Sequence, residues 1–165
     1  MTWLLTGGAG YIGSHIAYAL RATGRDVVVL DDLSTGYPHR LPPAAPLIQA
    51  SVLDRKAVVQ ALLRLLDAMR LVFSSSAAVY GDTATEIIDE TTPTRPASPY
   101  SATKLIGERV VRRAGLDTGM GWPALRYFNV TGAGALHLGD AGVANLIPHV
   151  ADVTDAHVTA AQHLE

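Results

Sequence analysis

Apolar residues along this chain follow two rhythms. Thr2-Trp3-Leu4-Leu5-Thr6, Val27-Val28-Val29-Leu30, Leu47-Ile48-Gln49-Ala50, Leu71-Val72-Phe73-Ser74-Ser75 and Pro123-Ala124-Leu125-Arg126-Tyr127 are short, mostly apolar runs of strand character. Between them lie stretches with helical spacing. Ile12, Ile16, Ala19 and Leu20 recur along 12–20, and Asp54 stands as an N-cap for a helix to Arg70 with Val58, Val59, Leu62, Leu66 and Met69 available for one face. Tyr100 to Arg113 offers Ile106, Val110 and Val111 as apolar contacts, with Lys104, Glu108, Arg109, Arg112 and Arg113 on polar faces; Val153 to Leu164 forms a closing helix. The four prolines 38, 42, 43 and 46 make Leu33 to Pro46 a loop, and Thr83 to Pro99, without periodicity, reads as a long loop beside a site. Strands alternating with helices predict an α/β fold, a Rossmann-like doubly wound parallel sheet. One junction is odd: the helix ending at Arg70 meets the strand at Leu71 with no linker, where about 2–6 residues are usual.

Composition narrows this little. A chain of 165 residues, 48% hydrophobic and 17% charged, can bury a sizeable single core. A net charge of −2 gives no reason to expect nucleic acid or an anionic membrane as partner. The absence of cysteine excludes disulfides, thiolate nucleophiles and cysteine metal sites, and no metal is expected. No apolar run approaches membrane-spanning length, so a cytoplasmic enzyme is the simplest expectation.

Chemistry enters at Gly7-Gly8-Ala9-Gly10-Tyr11-Ile12-Gly13, which joins the first strand to the first helix. A strand turning tightly into a helix aims backbone N–H groups and the positive helix end at whatever sits above the turn, and a pyrophosphate is its natural occupant. Gly7 and Gly10 let the backbone turn and approach phosphates, and Gly13 lets the helix lie close to the sheet. Asp31 and Asp32 end the second strand, where such a fold places the acid for ribose hydroxyls; an acid there repels a 2′-phosphate, which favours NAD over NADP. Either feature alone is more simply a turn or a solvated loop, but strand, glycines, helix, strand and acid in order favour dinucleotide binding.

A second group lies further on. Tyr100 and Lys104 are one helical turn apart and project from one face. A free tyrosine titrates near ~10, too high for a base at neutral pH. A neighbouring ammonium favours the phenolate and suits the pair to proton transfer. Ser76, just past the end of its strand, can hydrogen-bond the same substrate oxygen. Alone, Tyr-x-x-x-Lys is common on exposed helices; behind a dinucleotide motif the trio is the better explanation.

Gly7 to Gly13, Asp31-Asp32-Leu33-Ser34-Thr35-Gly36, Phe73 to Asp82, Pro99-Tyr100-Ser101-Ala102-Thr103-Lys104 and Leu125-Arg126-Tyr127-Phe128-Asn129-Val130, in that order, resemble the UDP-glucose 4-epimerase branch of the extended short-chain dehydrogenase/reductase family. Ala77-Ala78 stand where the related dehydratases usually carry an Asp-Glu pair, which favours epimerase over dehydratase; a nucleotide-sugar dehydratase or reductase of the same superfamily is the nearer enzymatic rival. The resemblance implies bound NAD, oxidation at C4 of a UDP-hexose and re-reduction on the other face. Tyr100 would move the 4-hydroxyl proton, Lys104 would hold the nicotinamide ribose, and Ser76 would orient the 4-oxygen. It also implies cofactor contacts at Gly7, Gly10, Tyr11, Ile12, Gly13, Asp31, Asp32, Ser74, Tyr100, Lys104 and Tyr127. Substrate contacts are implied at Ser76, Tyr100, Asn129, Asn145 and Leu146, and a homodimer through the helix after Tyr100. Ordinary packing explains Phe128 and Leu146 equally well.

Against that family pattern three pieces are missing. Between Leu62 and Arg64 the match skips the fourth strand, a glycine loop over the pyrophosphate and a helix start; the link before Leu71 is absent, and Pro148 runs straight into His149. Ser51 stands where an aspartate near the adenine is usual. The domain expectation is therefore an NAD-binding unit with the catalytic trio over 1–130 and a remnant of the substrate-binding region over 131–165. Two readings follow. Either segments of a complete epimerase are absent between the joined pieces, or the chain is this short and is a non-catalytic NAD-binding module. A long Cα separation at Arg70–Leu71 or Pro148–His149 supports the first.

Overall fold

The computed structural model describes residues 2–63, 71–83, 87–128, 130, 133, 135–138 and 150–164. Both junctions just named fall outside the described residues, as do Asn129, Asn145 and Leu146. Strand β1 (Thr2–Thr6) leads through the glycine turn into α1 (Tyr11–Ala22), and β2 (Asp26–Asp31) returns parallel to β1 with Trp3 opposite Val27 and Leu5 opposite Val29. Strand β3 (Leu47–Gln49) joins the far side of β2, also parallel, so β2 is central and all but its first residue is buried. The valine run behaves as expected of a strand covered on both faces. Ile16, Ala17 and Leu20 of α1 close over Val27 and Val29.

The second half is built on β4 (Phe73–Ser74), parallel to β5 (Ala124–Leu125). Their ladder is longer than these bounds: the amides of Leu71, Phe73, Ser75 and Ala77 donate in turn to the carbonyls of Gly121, Pro123, Leu125 and Tyr127. Helix α2 (Arg55–Leu63) precedes β4, and α3 (Pro99–Thr118) links β4 to β5. Helix α4 (Val150–Leu164) ends the described chain, starting three residues earlier than its periodicity suggests. Among the described residues no ladder joins the β1-β2-β3 sheet to the β4-β5 pair, so the single doubly wound sheet is present as two parallel pieces. Helix α4 touches both: Ala161 and Val158 pack with Ile16, Leu20 and Val27, while His157 reaches Ser74.

Three local expectations are corrected. The proline-rich loop holds one 3₁₀ turn, Pro38–Arg40, because a proline at the first position of a turn loses no hydrogen bond. Asp54 does cap α2, its carboxylate taking the amides of Lys56 at 2.9 Å and Ala57 at 3.1 Å, yet Val59, Leu62 and Leu63 are exposed and only Ala61 is buried. In α3 the apolar face is reversed. Ile106 and Val110 point to solvent, and the buried stripe is Ser101, Leu105, Glu108 and Gly115. Glu108 is inside because its charge is matched there by Arg126.

Candidate functional site

At the carboxyl end of β1, Gly7 adopts φ +66°, and its amide donates to Leu30 of β2 at 2.9 Å while its carbonyl takes the amide of Gly10 at 3.1 Å. The turn is therefore pinned to the sheet. A Cβ on Gly13 would stand 2.2 Å from the Gly7 carbonyl oxygen and 2.7 Å from the Gly8 Cα, so α1 lies directly on the turn. It is Gly8 that meets the sheet, where a Cβ would fall 2.8 Å from a Val29 methyl. Gly10 offers α1 no side-chain cap and no acid lies in its first turn, so the helix start is left to backbone amides. Ile12 packs its side chain into the core, so anything it offers a ligand comes from its backbone. Tyr11 lies edge-on to His15.

The two aspartates differ sharply. Asp31 is buried and takes the amides of Ala9 at 2.9 Å and Leu33 at 2.8 Å, one on each oxygen, tying the glycine turn to the loop after β2. Asp32 is exposed, and its hydrogen bonds from Ser34 hold its carboxyl below the ordinary value. Gly36 closes the same corner, a Cβ there meeting Ala9 at 2.9 Å and Asp31 at 3.0 Å.

The second cluster forms at the carboxyl ends of β4 and β5. Ser98 caps α3 in a reciprocal capping box with Ser101, with Pro99 at the first helical position, so Tyr100 enters on a fixed turn. Lys104, one turn on, donates to the Ser74 carbonyl at 2.9 Å, with its ammonium 5.8 Å from the Tyr100 ring centre and 5.7 Å from that of Phe73. Burial pushes the Lys104 pKa down. Ser76 follows on the strand, its Oγ accepting the Ala78 amide at 3.2 Å, and Tyr100 is 57% exposed, open to a ligand. Burial raises the Tyr127 phenol, which borders Ser74. Ser74, Tyr100, Lys104 and Tyr127 are thus brought together, with Ser76 next in line.

Two groups that sequence reasoning missed complete this end. His157 of α4 is buried, with Nδ1 2.7 Å from the Val153 carbonyl and Nε2 2.9 Å from Ser74 Oγ. A carbonyl can only accept, so Nδ1 carries the proton and Nε2 accepts the Ser74 hydroxyl. Burial lowers the pKa of this imidazole. The other is Glu108, whose carboxylate takes Ser75 Oγ at 2.5 Å and Arg126 through Nε at 2.9 Å and Nη2 at 2.6 Å. Burial works against its charge, but the Arg126 and Ser75 hydrogen bonds outweigh that and hold its pKa below the ordinary value. Spacing offered one signal: Glu108 is four residues past Lys104 and eight past Tyr100, on the same helical stripe.

A glycine turn pinned between parallel strands, an uncapped helix above it and an acid at the next strand end define a Rossmann-like α/β fold. The chain belongs to the NAD dependent epimerase/dehydratase family, whose profile matches residues 3–68 and 58–153. A UDP-glucose 4-epimerase of Azospirillum brasilense is 39% identical over 171 residues, covering 79% of this chain and 49% of that protein. The crystal structure of the Thermus thermophilus UDP-glucose 4-epimerase complex with NAD superimposes with TM-score 0.84 at 29% identity, covering 97% of this chain and 74% of that one. The Brucella ovis UDP-glucose 4-epimerase in complex with NAD gives TM-score 0.89 at 25% identity, covering 99% and 73%. The chain spans about half the length of the Azospirillum relative. The 171 aligned positions take up 79% of a 165-residue chain, about 130 residues, so about 40 positions of the alignment have no counterpart here.

Proposed function

We propose that this chain is the NAD-binding and proton-transfer part of an epimerase that inverts C4 of a UDP-hexose of the UDP-glucose/UDP-galactose type. The observation that carries the reading is the Tyr100–Lys104 pair, held over the strand end that bears Ser76 by the Lys104 bond to the Ser74 carbonyl. The residues fit the cofactor: Gly7, Gly10 and Gly13 keep the turn free of side chains, the amides of Tyr11 and Ile12 lie at the uncapped helix start, and Asp32 is open for a ribose. NAD held there would supply the hydride acceptor and donor for the sugar carbon. Tyr100 would accept the 4-hydroxyl proton and give it back, Lys104 would favour the phenolate and hold the nicotinamide ribose, and Ser76 would orient the 4-oxygen. Ser74 and Tyr127 border the same end. Asn129, Asn145 and Leu146 are retained as substrate contacts on the strength of the resemblance alone. The division into a cofactor unit over 1–130 and a substrate-region remnant over 131–165 belongs to the same reading. So does a homodimer through α3, which the exposed Ile106 and Val110, one turn apart, support. A cytoplasmic location remains an expectation; among the described residues no helix is long and apolar enough to cross a membrane.

Incubation with NAD and UDP-galactose tests the proposal. UDP-glucose should form, and Tyr100→Phe should abolish it. Accumulation of a 4-keto or 6-deoxy product would assign a dehydratase or reductase instead. One observation favours a second reading, that of a non-catalytic NAD-binding module: the two sheet pieces lack a common ladder among the described residues. NAD binding without conversion is its signature.

A further inference from the structure

Three consecutive residues of the second sheet are engaged by α3. A Cβ on Gly107 would fall 2.4 Å from the Phe73 ring, Lys104 bonds the Ser74 carbonyl, and Glu108 bonds the Ser75 hydroxyl. Of these contacts only Glu108 also reaches the chain just past β5, through the two-pronged bond to Arg126. Arg126 in turn donates from Nη1 to the Tyr80 hydroxyl at 3.0 Å and lies over the Tyr80 ring, and that hydroxyl donates to the Asp89 carbonyl at 3.0 Å. One carboxylate thus fastens the helix bearing Tyr100 and Lys104 to the residue before Ser76, to the residue before Tyr127, and through Arg126 to the 3₁₀ turn that Ser76 caps.

We propose that Glu108 is a positioning residue, whose carboxylate sets the helix carrying Tyr100 and Lys104 against the strand end carrying Ser76. The inference rests on the proposed role of that trio. A planar, two-pronged ion pair fixes distance and rotation together, which an apolar contact of the same size does not. The position suits the task, since a helix fixed two turns below Tyr100 and one below Lys104 has little freedom to slide.

The chain provides its own gauge, because Lys56 and Lys104 are its only lysines. Competitive amine labelling, read by mass spectrometry, gives the reactivity of Lys104 relative to the exposed Lys56. The ratio is read in the parent, in Ser75→Ala, in Glu108→Gln and in Asp117→Ala, which removes an ion pair with Arg113 on the same helix away from the clamp. Ser75→Ala removes one hydroxyl and keeps the claim testable should Glu108→Gln fail to fold. In folded protein the ratio should rise at least about threefold in Ser75→Ala and Glu108→Gln and stay at the parental value in Asp117→Ala. In the conversion assay kcat should fall about 10- to 100-fold in both clamp variants with KM within about threefold, the size expected for a small misplacement of reacting groups. A parent that shows no conversion would sink the trio's role, while the labelling ratios would still decide the clamp. Folded Ser75→Ala with parental labelling and parental kcat would overturn the inference.

Discussion

Gly13→Ala tests the contact on which the cofactor end depends. The added Cβ would stand 2.2 Å from the Gly7 carbonyl oxygen, 2.9 Å from its carbon and 2.7 Å from the Gly8 Cα, all backbone atoms of a turn already tied to Leu30 and Asp31. Ordinary contact needs more than an ångström of extra room, so the first turn of α1 must lift or the pinned turn must break. Overpacking of this kind costs about 1–3 kcal/mol, and the rigidity of the neighbours argues for the upper part of that range. Alanine returns up to about 1 kcal/mol through helix propensity. A net loss of roughly 1–2 kcal/mol remains, which in a domain of this size lowers Tm by about 2–8 °C. Gly10→Ala is the control, its Cβ meeting only the Gly7 oxygen at 3.3 Å, a clash that a few tenths of an ångström relieves. Thermal melts of both variants, with and without NAD, give the answer. Gly13→Ala should lose stability and dinucleotide affinity together; Gly10→Ala should melt near the parent and lose affinity alone, because its methyl stands where a phosphate would approach. A Gly13→Ala protein with parental Tm and parental affinity would refute the idea that α1 must lie directly on the turn.

Other outcomes follow from the same geometry. Asp31→Asn replaces two acceptor oxygens with one, leaving the Ala9 or Leu33 amide facing an amide nitrogen; urea unfolding should show a loss of about 1–3 kcal/mol, whereas exposed Asp32→Asn should unfold close to the parent. Ser98→Ala breaks the capping box of α3 and should cost about 1 kcal/mol by the same measurement. Burial places the folded pKa of His157 below its ordinary 6.5, so the unfolded chain binds the extra proton. Its contribution is full above pH 6.5 and is lost as pH falls through the window below that value, with a limiting slope of about 1.4 kcal/mol per pH unit. Stability measured from pH 7 to 5 should fall as the solution acidifies in the parent and lose that dependence in His157→Gln, while the stability that Asp32 and Glu108, whose pKa values are lowered, contribute is still present over this range and is lost only in more acid solution.

The cofactor end was legible because its signals are local. A strand, a glycine turn and a helix within about twenty residues leave little for tertiary context to decide, and β1, α1 and β2 fall where the apolar pattern puts them. The Asp54 cap of α2 is local in the same sense. Burial of α3 was not legible. Helical spacing alone assigns Ile106 and Val110 inward and Glu108 outward, and only the arrival of Arg126 just past β5, eighteen residues on, reverses that face. The role of His157 depends likewise on a contact across 83 residues, which no window over its own helix contains. The division of Asp31 from Asp32 rests on which carboxylate the glycine turn captures, a choice of side-chain direction that a two-residue motif does not encode.

Helix α4 bears on whether the two ends can act as one site. In a continuous sheet, ladder hydrogen bonds hold neighbouring strands at a fixed spacing of about 4.8 Å, and the glycine turn and the Tyr100–Lys104 pair would inherit that precision. Here no ladder connects β1 to β4 among the described residues, and α4 spans the two pieces with Ala161 and Val158 on one and His157 on the other. Side-chain packing and one hydrogen bond permit sliding that a ladder forbids. A dinucleotide reaching from the Gly7 turn to Lys104 would itself be a major tie between the halves. Ligand that binds only the joined arrangement stabilises it by about 2.7 kcal/mol at a hundred times its Kd. If α4 packing alone already sets the geometry, NAD should protect the turn around Gly7 from hydrogen exchange and leave the amides of Ser75 and Ala77 unchanged. If the cofactor is the tie, it should slow exchange in both places.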